Sequence, residues 1–65
     1  MTRQEALNQA EKALHRAAAL AADTERWARH PDYPHKAEPL AAAGALWADT
    51  ARAYTHYAAT LPEEN

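Results

Sequence analysis

The chain is divided into two alanine-rich halves by the stretch His30-Pro31-Asp32-Tyr33-Pro34-His35-Lys36-Ala37. Two prolines so close together cannot both lie inside a helix, because each lacks an amide hydrogen and disfavours helical backbone in the residue before it. No glycine or proline precedes Pro31. The next proline, Pro39, is placed where the first turn of a second helix tolerates it. The sequence therefore predicts two helices joined by a proline-rich loop.

Composition narrows the fold class to all-α. Nineteen of the 65 residues are alanine, whereas valine, isoleucine, phenylalanine and cysteine are absent. Strands favour β-branched and aromatic side chains, while alanine, leucine, glutamate and arginine favour helices. The absence of cysteine excludes disulfide bonds, thiolate metal ligands and a cysteine nucleophile. We therefore predict a single small domain, an antiparallel two-helix hairpin.

Local signals place the ends of both helices. Thr2 and Glu5 have the spacing of a capping box, in which each side chain accepts a hydrogen bond from the backbone amide of the other residue. Pro31 and Pro62 limit the two C-terminal ends, because the residue before a proline avoids helical backbone. The predicted domain contains helix 1 at about residues 3–29, a loop at 30–38, helix 2 at about 39–61 and a frayed tail at 62–65.

Two seven-residue series in each half define the predicted hairpin seam, the surface along which the helices meet. One series carries mainly large side chains and the other small ones, so that large and small layers alternate along the pair. The register that satisfies every layer places Leu14 opposite Tyr54. It also places Gly44 opposite Thr24. The predicted seam comprises Leu7, Ala10, Leu14, Ala17, Ala21, Leu40, Gly44, Trp47, Ala51, Tyr54, Ala58 and Leu61.

A second apolar stripe follows one side of both predicted helices, and an isolated hairpin would leave it in water. Contiguous exposed apolar surface of this kind marks an interaction site. Between Pro39 and Pro62, helix 2 also has only two charged residues, Asp49 and Arg52. Because so little of its surface is charged, we expect more of it to be buried than one partner helix can cover. We therefore predict a homodimer or higher oligomer, formed as a four-helix bundle. The predicted interaction face comprises Leu20, Trp27, Ala43, Leu46, Thr50, Ala53 and Tyr57.

The sequence offers little catalytic chemistry. It contains no serine or cysteine, no glycine-rich phosphate loop and no paired carboxylates on the apolar faces. His30 and His35 flank the loop, where they could share a metal ion. Because zinc requires three or four ligands in fixed geometry, we expect ordinary solvated histidines there instead. We predict no enzyme activity, no catalytic or metal-binding residues and no cofactor.

Charge and hydropathy indicate the class of partner. The formal net charge is −2, residues 1–5 lack the apolar core of a signal peptide, and the longest uncharged stretch, Pro39–Ala48, is too short to span a bilayer. We expect a cytoplasmic adaptor or regulator that binds itself or another protein, and no membrane. The alternative is a dimeric nucleic-acid-associated regulator, in which Arg3, Lys12 and Arg16 of two chains form one basic patch.

Overall fold

The structure is a computed structural model that describes residues 1–63. Helix α1 spans Arg3–Ala28, a single 3-10 turn spans Pro34–Lys36, and helix α2 spans Ala37–Thr60. The two helices pack side by side as an antiparallel hairpin with Cα extents of 54 × 14 × 12 Å. The predicted all-α helical hairpin is confirmed. Of the predicted tail, residues 64 and 65 lie outside the described part of the chain.

Helix α1 begins with the predicted capping box. The Thr2 hydroxyl accepts a hydrogen bond from the Glu5 amide at 3.1 Å, and the Glu5 carboxylate accepts one from the Thr2 amide at 3.1 Å. The hydrogen bond from the Thr2 backbone lowers the pKa of the exposed Glu5 carboxyl. Its contribution to stability is therefore present above the ordinary glutamate pKa and is lost as the pH falls through the lowered one.

The buried core of the hairpin is made of alanine alone. No large side chain in residues 1–63 is fully buried. Small side chains allow two helix backbones to approach closely, so the contact is held by many short-range dispersion contacts and not by interlocking large residues. The buried residues are Ala6, Ala10, Ala13, Ala17, Ala51 and Ala58.

The register of the two helices is shifted by about one helical turn from the predicted one. A Cβ built on Gly44 would lie 3.5 Å from the Leu20 Cβ and 3.8 Å from the Ala17 carbonyl oxygen. Gly44 therefore faces Leu20, and the predicted pairing of Gly44 with Thr24 is wrong. In the observed register Gly44, the smallest residue of α2, packs against Leu20. The predicted register left Leu20 outside the seam.

Contacts at the open end of the hairpin agree with this register. The Arg3 guanidinium donates hydrogen bonds of 3.1 and 2.7 Å to the Leu61 carbonyl oxygen and forms an ion pair of 2.9 Å with Glu63. Arg3 thereby satisfies a carbonyl at the C-terminal end of α2, where a positive charge is favourable. The Arg3–Leu61 contact and the Leu20–Gly44 contact fit one and the same register. In that register Ala10 lies opposite Tyr54, so a small residue packs against a large one.

Helix α1 is also rotated about its axis relative to the predicted seam. Leu7 is 40% exposed and Leu14 is 57% exposed, so neither lies in the seam as predicted. Leu20 and Trp27, predicted to face outward, are half-buried instead. The physical reason is size: Leu14 against Tyr54 would place two large side chains in one layer and hold the helices apart.

The remaining seam predictions divide by helix. On α1, Ala10 and Ala17 are buried, whereas Ala21 is exposed. On α2 and its C-terminal cap, every predicted seam residue except Trp47 is buried or half-buried, whereas Trp47 is 40% exposed, as Leu7 is. The half-buried members of this α2 set are Leu40, Gly44, Tyr54 and Leu61, and the buried ones are Ala51 and Ala58.

Gly44 provides a test of the observed register. The Cβ of an alanine would make ordinary contacts with Leu20, Ala17 and Ala21 at 3.5–3.9 Å, so Gly44→Ala fits and gains helix propensity. We expect Gly44→Ala to raise the free energy of unfolding by up to about 1 kcal/mol. Gly44→Leu should lower it by about 1–3 kcal/mol, because the longer side chain overpacks the seam. Thermal unfolding followed by circular dichroism measures both, and a raised Tm for Gly44→Leu would contradict this placement.

Candidate interaction surfaces

Several large apolar side chains of this hairpin are exposed on its outside. Several large residues have exposed fractions between 40% and 67%. Contiguous apolar surface on a small protein indicates a binding function more strongly than scattered single residues do. The exposed large residues of α1 and α2 are Leu7 40%, Leu14 57%, Leu46 67%, Trp47 40% and Tyr57 45%. They divide between two opposite sides of the hairpin.

The first surface, here named the alanine face, is a shallow uncharged groove between the helices. Its volume is about 490 Å³, and Leu14 is its only large side chain. Leu7, one heptad before Leu14, extends the apolar surface along α1. The lining residues are Leu14, Ala17, Ala18, Ala21, Thr24, Ala41, Gly44, Ala45 and Ala48.

The second surface, here named the aromatic groove, lies on the opposite side of the hairpin. It has a volume of about 740 Å³ and is lined by polar residues of α1 and by mainly apolar residues of α2. A smaller hollow next to it shares Thr50 and Tyr54 and continues to Ala53 and Tyr57. The lining residues of the main groove are Gln9, Lys12, Ala13, Arg16, Leu46, Trp47, Thr50 and Tyr54.

Both charged side chains of the aromatic groove are positive and lack an acidic partner. Within residues 1–63, no carboxylate lies within 4.0 Å of the Lys12 or Arg16 nitrogen atoms. The Arg16 guanidinium instead stacks over the Trp47 ring, with its central carbon 5.6 Å from the ring centroid. The groove therefore combines an apolar floor with two uncompensated positive charges, although the whole chain is slightly negative.

The other four arginines are ion-paired. The guanidinium groups of the remaining arginines each form an ion pair, at distances of 2.6–3.1 Å. The pair between Glu25 and Arg29 is the i,i+4 pair expected from their spacing. Arg3 is held by Leu61 and Glu63. Of the three residues in the predicted basic patch, Arg3 is ion-paired within the hairpin, whereas Lys12 and Arg16 are not. The patch itself requires a dimer and stays a prediction.

The predicted interaction face is brought together only in part. Leu46, Thr50, Ala53 and Tyr57 line the aromatic groove or the hollow next to it. Ala43 is half-buried on the same helix. Leu20 and Trp27 lie elsewhere, because the rotation of α1 turns Leu20 toward Gly44 and Trp27 toward the loop. On the α1 side of the groove, Lys12 and Arg16 take the place that the prediction gave to Leu20 and Trp27.

The loop end of the hairpin is closed by aromatic and cationic side chains. The Trp27 and Tyr33 rings lie 6.2 Å apart and nearly perpendicular, and the Lys36 ammonium group lies 4.4 and 4.7 Å from their centroids. The His30 ring packs 5.4 Å from Trp27 and 5.1 Å from Tyr33. Cation–π and edge-to-face contacts of this kind stabilise a compact turn.

The two loop histidines do not form a cluster with acidic residues. The Nδ1 atom of His30 accepts a hydrogen bond of 3.1 Å from the Asp32 amide, and His35 packs against the Tyr33 ring with a centroid separation of 6.1 Å. In residues 1–63, no three histidine, aspartate or glutamate side chains come together as metal ligands would. His15 and His56 are exposed on the outer sides of their helices.

Sequence reasoning missed Lys12 and Arg16 as members of the aromatic groove, although the sequence contains a signal for them. Neither has an aspartate or glutamate three or four residues away, the spacing at which helical side chains form ion pairs. Arg26, Arg29 and Arg52 each have one and use it. This spacing therefore predicts two cations, at i and i+4 of one helix, that no helical neighbour neutralises.

Comparison of the chain with protein-family models, with curated proteins and with solved structures gave no significant match. Neither helix in residues 1–63 combines the length and hydropathy needed to cross a bilayer.

Proposed function

We propose that this chain is a non-catalytic helical module that self-associates into a four-helix bundle and acts through protein–protein contacts as an adaptor or regulator. One observation carries the proposal: in residues 1–63 only alanines are buried, whereas Leu7, Leu14, Leu46, Trp47 and Tyr57 stay exposed. Fully burying a leucine or aromatic side chain contributes about 1.5–3 kcal/mol, much more than an alanine. Covering these exposed side chains with a partner would therefore add hydrophobic free energy that the hairpin alone does not gain.

Size and shape support the same proposal. The accessible surface of 4856 Å² exceeds by roughly 700 Å² the area of about 4100 Å² typical of a compact monomer of 7.2 kDa. A stable interface buries about 800 Å² on each partner. The radius of gyration of 15.1 Å likewise exceeds the value of about 11 Å typical of a compact chain of this length. The monomer is therefore more elongated, and has more accessible surface, than a compact protein of its mass, as expected for one half of a dimer.

The alanine face suits a second copy of the same chain. In a two-fold dimer the same patch meets itself, so an uncharged patch places no like charges together. Leu14 and Leu7 project from α1, while Ala41, Ala45 and Ala48 leave a flat row on α2. A two-fold axis along the helices keeps each residue at its own level, so Leu14 of one copy, which the observed register places level with Thr50, would pack beside Ala48 of the other.

Sedimentation equilibrium at concentrations from micromolar to millimolar tests the proposal. The mass is the decisive quantity, because a rod 54 Å long elutes early from gel filtration even as a monomer. We expect twice the chain mass of 7.2 kDa, or a higher multiple, at the upper concentrations. We also expect a Tm that rises with concentration, since association stabilises the folded state. A folded monomer over the whole range would refute self-association.

The nucleic-acid alternative is tested on the same samples. Titration with duplex DNA at low and at moderate salt would reveal the salt-dependent binding that phosphate contacts produce. Lys12 and Arg16 are the two cations each chain offers at the aromatic groove, and Arg3 is engaged by Leu61 and Glu63. We therefore expect no measurable binding of duplex DNA at physiological salt. Tight, salt-dependent binding would favour the alternative function.

A further inference from the structure

The aromatic groove extends along the hairpin for several helical turns. On α2 it runs from Leu46 through Thr50 and Tyr54 to Tyr57 in the adjoining hollow. At a rise of 1.5 Å per residue, this distance is about 16 Å, or three turns of a helix. An amphipathic helix anchors in such a groove through residues at positions i, i+3 or i+4, and i+7. The length of the groove therefore fits a helical segment better than a compact small molecule.

The charges of the groove indicate which residues should flank the apolar anchors of a bound helix. Lys12 and Arg16 lie one turn apart on the α1 rim, and no carboxylate in residues 1–63 pairs with either. A ligand with carboxylates one helical turn apart would pair with both while its apolar side chains cover Trp47 and Leu46. Charge complementarity of this kind fixes the register of a partner and excludes basic sequences.

A second copy of this chain fits the aromatic groove poorly. A two-fold contact through the groove would bring Lys12 and Arg16 of both chains into one interface. That interface would hold four positive charges, and none of the residues lining the groove is acidic. The desolvation of unpaired charges opposes such a contact. The occupant must supply the negative charge itself.

We propose that the aromatic groove binds an acidic amphipathic helix of another protein, whose carboxylates pair with Lys12 and Arg16 and whose apolar side chains cover Trp47, Leu46 and Tyr54. The site is separate from the alanine face, because side chains two positions apart on α1, such as Leu14 and Arg16, point about 200° apart. The proposal goes beyond self-association and does not require it.

Two synthetic peptides of about 15 residues test this proposal. Both carry leucines at i, i+3, i+4 and i+7 in an alanine background; one has glutamates flanking the leucines and the other has lysines at the same positions. Binding of each fluorescently labelled peptide to the full chain is measured by anisotropy. Because only the acidic peptide can form two ion pairs with the groove, it should bind about tenfold more tightly than the basic one, a difference of about 1.4 kcal/mol.

Charge reversal locates the site. In the double variant Lys12→Glu, Arg16→Glu, the preference should reverse in favour of the basic peptide. The matched control is Arg26→Glu, Arg29→Glu, which makes the same change of charge at exposed positions outside the groove and should keep the acidic preference. Circular dichroism confirms that both variants remain helical.

Each other result would overturn the proposal. Equal affinity for both peptides would indicate a non-selective apolar patch, and an unchanged preference in the Lys12→Glu, Arg16→Glu variant would place binding elsewhere. Binding of neither peptide would refute the site directly. A halved oligomer mass on addition of peptide would show that a second copy covers the groove. Repetition with a Leu14→Glu variant separates the two proposals, because peptide binding should persist there whether or not the chain self-associates.

Discussion

Replacing Leu14 with glutamate is expected to weaken self-association by about 100-fold or more. Leu14 is 57% exposed in the hairpin and is the only large side chain lining the alanine face. In a two-fold contact through this face, each glutamate would be buried among alanines with no cation in the groove lining to pair with it. Burial of an unpaired charge costs several kcal/mol, and about 2.7 kcal/mol already corresponds to a 100-fold change in the dissociation constant.

The matched control is Leu46→Glu, the same substitution on the opposite side of the hairpin. Leu46 is 67% exposed and lines the aromatic groove. Sedimentation equilibrium should give an unchanged oligomer for Leu46→Glu and a monomer for Leu14→Glu. If Leu46→Glu dissociates the oligomer and Leu14→Glu does not, the copies meet through the aromatic groove, and the assignment of the two faces is wrong.

The second large effect is expected at the centre of the alanine core. Ala13 is 2% exposed, so its methyl group is enclosed by the contact between α1 and α2. Ala13→Leu adds three heavy atoms where the backbones approach closely, and the helices must separate to accept them. We expect the free energy of unfolding to fall by about 3 kcal/mol, at the upper end of the usual cost of overpacking. In a domain of this size, a loss of that magnitude lowers the Tm by roughly 12–24 °C.

Ala22→Leu serves as the comparison for this variant. Ala22 is exposed on the same helix, and leucine is nearly as good a helix former as alanine, so its Tm should change by only a few degrees. Both variants are measured at one fixed concentration, because self-association itself shifts the Tm. An equal loss of stability in the two variants would show that the alanines are not a close-packed core.

The local features of this fold could be predicted from sequence because each depends on a few neighbouring residues. The capping box at Thr2 and Glu5 has a fixed spacing. The proline-rich loop follows from the backbone restrictions of Pro31 and Pro34. The seam side of α2 was also recognisable, since Gly44, Ala51 and Ala58 form one uninterrupted small-residue series.

The rotation of α1 could not be predicted in the same way. The rule that large apolar residues lie inside does not separate the two stripes of α1, because one carries Leu7 and Leu14 and the other carries Leu20 and Trp27. The structure buries the second stripe, at Ala6 and Ala13. When both stripes carry alanine, the choice depends on how closely two backbones can approach, which is a property of the pair and not of either helix. The same limit applies to Trp27, whose role at the loop depends on contacts with Tyr33 and Lys36.

Because the hairpin contacts are nested, the order in which they can form depends on their distance from the loop. Gly44 and Leu20 meet across 24 residues of chain, whereas Arg3 and Leu61 meet across 58. Closing the longer loop directly would cost about 0.8 kcal/mol more in chain entropy. We therefore expect the contacts next to the loop to form first and the contacts farther from it to follow. We expect the Arg3 end to close last during folding and to open first when the hairpin unfolds.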